Sequence, residues 1–165
     1  PLFIQPVPPP LRMLIVGAVR IAQTLAPIAV EAGFEVTVID PRRAFAAPER
    51  FPAFAVVREW PDQALSALGL DPGTAVVALT HDAKPDDMAL GLALRSDAFY
   101  VGALGSRKTH AKRAQRLKEA GYTEAEIARI CAPIGLDIGA RTPAEIAVAI
   151  LAEVIAAKNG KFIRR

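Results

Sequence analysis

The sequence predicts an α/β fold in a single domain, built on a doubly wound parallel sheet. Three observations lead there. Short β-rich apolar runs alternate with helical stretches along the chain, the rhythm of successive βαβ units. The first run, Met13 to Val16, is apolar without a break, as a strand covered on both faces must be. Polar and glycine-rich residues gather after the strands, where open parallel sheets of the Rossmann-like kind place their ligands.

Taken in order, Met13 to Val16 reads as the first strand, and a helix over residues 20–32 follows, stopped by Gly33. Glu35 to Ile39 reads as the second strand and delivers Asp40 to its C-terminal end. Phe54 to Val57 is a weaker third strand, and Pro61 to Leu68 a short helix closed by Gly69. Thr74 to Leu79 reads as a strong fourth strand, Pro85 to Leu94 as a helix, and Phe99 to Ala103 as the fifth strand. Gly105-Ser106 then opens a basic helix, with Ser106 as N-cap. Thr123 with Glu126, and Thr142 with Glu145, have the spacing of capping boxes and start two more helices, the last with Pro143 at its first position. The intervening CAPIGLDIGARTP has two glycines and two prolines and reads as an ordered loop. The domain is expected over residues 11–158. Residues 1–10, with five prolines, read as a linker or edge segment leading in from a longer chain, and residues 159–165 as a basic tail.

Composition narrows the class. The 165 residues are 52% hydrophobic and 22% charged, which describes a globular domain and not a disordered tail. No apolar run approaches the roughly 20 residues of a membrane span. One cysteine, Cys131, excludes an internal disulfide and fits a reducing, cytoplasmic compartment; Cys131 itself reads as a small buried hydrophobe more readily than as a nucleophile. The formal net charge is only +3. Lys108, Lys112 and Arg116 recur every four residues while Ala111, Ala114 and Leu117 recur every three. That pattern reads as an amphipathic helix with a solvated basic face, and the lack of interleaved aromatics argues against nucleic acid.

Four loops should reach the ligand-binding edge: 17–21, 40–43, 80–84 and 104–109. The first, Gly17-Ala18-Val19-Arg20-Ile21-Ala22, stands where a dinucleotide fingerprint would, but Val19 replaces the glycine that lets backbone approach a pyrophosphate. Asp40 lies where an acidic residue would bond a ribose hydroxyl. Arg42 and Arg43 either grip a phosphate or pair with Asp40 and Glu49. Thr80-His81-Asp82 is a general-base pair, a metal-ligand pair or a capped turn. Gly105, Ser106, Arg107 and Lys108 put cations at a helix start, which suits either an anion or simple N-capping. No metal-ligand spacing, nucleophile elbow or Walker loop is present, and no catalytic residue is expected.

These loops give the chain a family resemblance. GAVRIA at 17–22, Asp40 with the PRRAFA that follows it, LTHD at 79–82, YVGALGSRKTHAKR at 100–113 and APIGLDIGARTPAEIAVAILAEV at 132–154 resemble the C-terminal Rossmann domain of the XdhC/CoxI family. Members of that family are accessory proteins of molybdenum hydroxylases such as xanthine and carbon monoxide dehydrogenases. The resemblance implies a molybdenum-cofactor (molybdopterin) chaperone or insertion factor that does not itself turn over substrate. It implies an apo molybdenum hydroxylase as partner, an upstream N-terminal domain and a homodimer. The site it implies is lined by Gly17, Asp40, His81, Gly105, Ser106 and Arg107, with Gly135, Asp137 and Gly139 in the late loop; Ala18, Val19, Arg20, Arg42, Thr80, Asp82 and Lys108 join them from the reading of the loops themselves. The chain departs from the family pattern at Arg20 and Cys131, where members often carry histidine, and at Val19, where many carry glycine. The competing reading is an NAD(P)-dependent oxidoreductase or nucleotide-sensing module using the same crevice; a purely structural or oligomerisation domain is a third.

Overall fold

A computed structural model describes residues 10–161. Residues 1–9 of the expected linker and 162–165 of the expected tail lie outside the described residues.

Six parallel strands form one sheet in the order β3-β2-β1-β4-β5-β6. They are β1 (Arg12–Val16), β2 (Glu35–Ile39), β3 (Ala55–Val57), β4 (Thr74–Ala78), β5 (Tyr100–Ala103) and β6 (Ile130–Cys131). The helices are α1 (Arg20–Glu31), α2 (Pro61–Leu68), α3 (Ala83–Leu94), α4 (Arg107–Glu119), α5 (Glu124–Ile127) and α6 (Pro143–Lys158). From β1 the chain winds outward through β2 and β3. It then returns to pair β4 on the other side of β1, with Val16 level with both Ile39 and Ala78. The order of winding thus reverses between β1 and β4, and the crevice there opens beyond the strands' C-terminal ends.

Because side chains alternate across a strand, the sheet feeds two cores. Met13, Ile15, Val38, Val77 and Tyr100 pack under α1 and α6 with Leu25, Ala29, Ile150 and Val154. Leu14, Val16 and Ile39 meet Leu65 and Ala89 on the opposite face, where Val76, Val101 and Ala103 join Leu90, Leu117 and Ile127. β4 is buried along its whole length, which is why it reads as a continuous apolar run.

Two elements differ from expectation. Ile130–Cys131 extends the sheet by pairing parallel to β5; two residues carry too short a pattern to be read as a strand. The helix after Thr123 is a single turn, although its capping box is complete. The last helix is as its capping box announces, with Thr142 accepting from the Glu145 N–H and Glu145 accepting from the Thr142 N–H.

Candidate functional site

The loop after β1 is joined to the end of β2 through Asp40. Ala18 N–H donates to Asp40 Oδ2 at 2.8 Å. Arg42 donates from its backbone N–H and its Nε to Oδ1, and from Nη2 to Oδ2 at 2.7 Å. Burial alone would raise the Asp40 pKa, but the Arg42 side chain together with the Ala18 and Arg42 N–H groups outweighs it and holds the carboxyl below its ordinary value. Both carboxylate oxygens are thus engaged within the protein. Of the two roles open to Arg42, the structure shows pairing with Asp40, with the guanidinium also stacked 4.1 Å from the Phe45 ring centroid. Gly17 brings this loop against the next one. Its φ is +110°, and a Cβ there would lie 2.8 Å from Thr80 Cγ2 and 3.1 Å from Thr80 N.

Thr80-His81-Asp82 forms a capped turn. The Thr80 hydroxyl accepts from the Asp82 N–H and lies 2.7 Å from Asp86 Oδ1, while Asp82 caps α3 by accepting from the Lys84 N–H. His81 is exposed. Behind the turn, Asp86 and Arg113 form a buried ion pair at 3.3 Å, both 2% exposed. Arg113 Nη2 also donates to the Leu104 carbonyl at 2.9 Å. Burial pushes the Asp86 pKa up to about 6, against the opposing pull of the Thr80 hydroxyl and the Arg113 charge. Arg113 Nε and Nη1 are buried without a hydrogen-bond partner.

These groups bound a cavity of about 340 Å³ beyond the ends of β4 and β5. Thr80, His81, Asp82, Gly105 and Lys108 line it, as do Asp86, Thr109, Lys112, Arg113 and Arg116. Of the expected site residues it therefore unites five. Gly17, Ala18, Asp40 and Arg42 make an adjoining cluster, and the field of Asp82 and Asp86 reaches Arg42. Val19 packs half-buried against the core, while Arg20 is exposed at the start of α1. Ser106 accepts from the Thr109 N–H as N-cap of α4, and neither it nor the exposed Arg107 lines the cavity. The late loop is held separately. Gly135 N–H donates to Glu153 Oε2, which also accepts from the Tyr100 hydroxyl, and Asp137 and Gly139 are exposed.

Sequence reasoning missed Asp86 and Arg113. Lys108 and Lys112 are exposed, as a solvated face requires, and with Arg116, which Asp87 clamps, they also wall the cavity. Ala111, expected on the apolar stripe, is exposed, and Arg113 takes the buried position beside Leu117. No local pattern links Arg113 to Asp86, 27 positions earlier, so the sequence offered no signal for the pair. Among the described residues, no group of three or more His, Cys, Asp or Glu side chains is placed to hold a metal ion, and no helix is long and apolar enough to cross a membrane.

A doubly wound sheet with a polar cavity past its C-terminal edge defines the class: a Rossmann domain. The chain belongs to the XdhC Rossmann domain family, whose model matches residues 13–154. It is 34% identical over 155 residues to a probable xanthine dehydrogenase subunit from Bacillus subtilis, covering 93% of this chain and 45% of that protein. It is likewise 34% identical over 146 residues to the molybdenum cofactor insertion chaperone PaoD of Escherichia coli, covering 88% and 40%. An uncharacterized Escherichia coli protein, YqeB, is 34% identical over 150 residues, covering 90% of this chain and 27% of that one. The chain thus spans less than half the length of each of these relatives. Among solved structures, one described as a xanthine dehydrogenase from Bacillus halodurans superposes with a TM-score of 0.79 at 28% identity, over 93% of this chain and 44% of that one.

Proposed function

We propose that this chain is the cofactor-holding domain of an accessory protein that carries molybdenum cofactor and hands it to an apo molybdenum hydroxylase of the xanthine or carbon monoxide dehydrogenase type. The observation that carries the reading is the cationic cavity beyond β4 and β5 in a chain that is similar to a molybdenum cofactor insertion chaperone. Its volume, about 340 Å³, lies at the lower end of the roughly 300–1,000 Å³ of small-ligand sites. The residues fit the group in kind. A molybdopterin presents oxyanions and hydrogen-bonding edges, and the cavity offers lysine and arginine donors beside the Thr80 turn. Thr80, His81, Asp82, Gly105 and Lys108 would hold the ligand directly. Gly17, Ala18, Asp40 and Arg42 would shape the neighbouring wall, and Arg20, Ser106, Arg107 and the Gly135 to Gly139 loop would act at the rim.

The role is one of binding and delivery in the cytoplasm, without turnover by this domain. An upstream N-terminal domain and a homodimer complete the assembly as we read it. NAD(P) is the less favoured ligand for two reasons. Val19 stands where the dinucleotide fingerprint has the glycine that lets backbone approach a pyrophosphate, and Asp40 already spends both oxygens on Ala18 and Arg42.

The test is retention. The chain, incubated with cofactor released from a molybdoenzyme and passed through a desalting column, should carry about one pterin per chain by fluorescence after oxidation. NADH or NADPH treated in the same way should emerge free. Retention of a nicotinamide nucleotide with no retained pterin would overturn the reading.

A further inference from the structure

We infer that α4 and the floor beneath it form a phosphoryl-group subsite, built by Lys108, Lys112 and Arg113 facing the Thr80 turn. It shares Lys108 with the motif Gly105 to Lys108 at the helix start and extends along α4 to Lys112 and Arg113. The inference deepens the cofactor-holding proposal by naming the part of the ligand that this wall takes.

Three observations carry it. The first concerns charge. Of the four cations lining the cavity, Arg116 is clamped by Asp87 and Arg113 is paired with Asp86. Lys108 and Lys112 form no ion pair among the described residues, and as residues four apart on one helix they are neighbours on the same face. Of the two carboxylates in the lining, Asp86 is paired with Arg113, which leaves Asp82 against the two lysines. The mouth of the cavity is therefore left with an excess of positive charge.

The second observation is the floor. Arg113 is 2% exposed and lines the cavity, yet its Nε and Nη1 find no acceptor in the protein. Unsatisfied donors on a buried cation are costly, and an oxyanion that drew the guanidinium toward the cavity would give them acceptors through parallel N–H bonds.

The third concerns the helix start. Ser106 accepts from the Thr109 N–H as cap, and neither Ser106 nor Arg107 lines the cavity. The cations of α4 that do line it run from Lys108 in the first turn through Lys112 and Arg113 in the second to Arg116. Two lysines at the mouth and an arginine on the floor match a tetrahedral, multiply charged oxyanion better than a planar carboxylate, because such a guest offers acceptors in three directions.

The experiment titrates the whole chain with inorganic pyrophosphate and with inorganic phosphate by calorimetry at low ionic strength, with sulfate as a charge control. The variants are Lys108→Ala/Lys112→Ala, whose side chains are exposed and whose loss should leave the melting temperature unchanged, and Lys118→Ala, a cation of the same helix that does not line the cavity. Pyrophosphate should bind the unaltered chain, at least 10-fold more weakly to the double variant, and within twofold to Lys118→Ala. The double variant should also weaken cofactor retention. Absence of phosphate and pyrophosphate binding at millimolar concentration would overturn the inference, and so would equal loss in Lys118→Ala, which would signal diffuse attraction to the basic helix. Pyrophosphate captured by this wall in a chain that retains no pterin would uphold the subsite and overturn the cofactor reading. Pterin retention undiminished in the double variant would do the reverse.

Discussion

Gly17→Ala is expected to lower the unfolding free energy by about 3 kcal/mol, combining a strained left-handed backbone with overpacking of a closed contact. Gly17 has φ +110°, and the added methyl would press on Thr80 Cγ2 and on the backbone from Leu79 to Thr80. Backbone is the part of that contact unable to swing aside. Gly33→Ala separates the two causes, since Gly33 also has positive φ (+89°) but a Cβ there meets nothing within 4 Å. It should cost only about 1 kcal/mol, the strain component alone. Urea unfolding of the two variants gives the difference, which measures how tightly the loops after β1 and β4 close on one another. Equal costs would mean that the loops are not in firm contact and that the two halves of the site are not coupled.

The second large effect is expected at the Asp86–Arg113 pair. Arg113→Met removes the partner of a buried carboxylate, which in general costs about 3–5 kcal/mol. Here the cost should depend on pH. The Asp86 pKa is already about 6 in the fold, and loss of the arginine charge raises it further. At pH 5 the orphaned carboxyl is protonated and the variant should suffer least; at pH 8 it must be ionised or bind a proton against the bulk, and the loss should be largest. The unaltered chain follows the same linkage. A carboxyl with a raised folded pKa binds its proton more readily when native, so its contribution to stability is greatest below about 4 and declines as pH rises to about 6, by about 3 kcal/mol. Asp40 acts in the opposite sense, its contribution being lost only as pH falls below the ordinary carboxylate range. Asp86→Asn should therefore flatten the stability profile between pH 4 and 6 while leaving the acid limb in place. A slope unchanged in Asp86→Asn would assign the titration to another group.

Much of the fold was legible in the sequence because its parallel strands are buried on both faces. Such strands read as short apolar runs, and β1, β4 and β5 follow that rule, whereas β2 carries an exposed Glu35 and a half-buried Thr37. β6 escaped because its two residues derive their strand character from pairing with β5, a tertiary effect. The site was legible as loops and not as contacts. Asp40 was found from its spacing to Gly17, yet only the folded chain reveals that its oxygens are spent on Ala18 and Arg42. Arg113 was invisible for the complementary reason: an arginine in a basic helix is ordinarily solvated, and its burial arises from Asp86, 27 positions earlier, which no local pattern connects to it. The same separation hid the meaning of Lys112, whose charge matters because it overhangs a cavity whose other side is built by the loop after β4.

A ligand seated beyond the C-terminal ends of the strands, between the loops after β1, β4 and β5, is the claim on which the functional reading depends. Mapping amide chemical shifts of the isotopically labelled chain during titration with released molybdenum cofactor tests this directly. Shifts should concentrate at Gly17, Thr80, His81, Gly105 and the Lys108 to Arg113 turn. Shifts gathered instead at Gly33, Gly69 and Gly73, at the opposite end of the sheet, would contradict it.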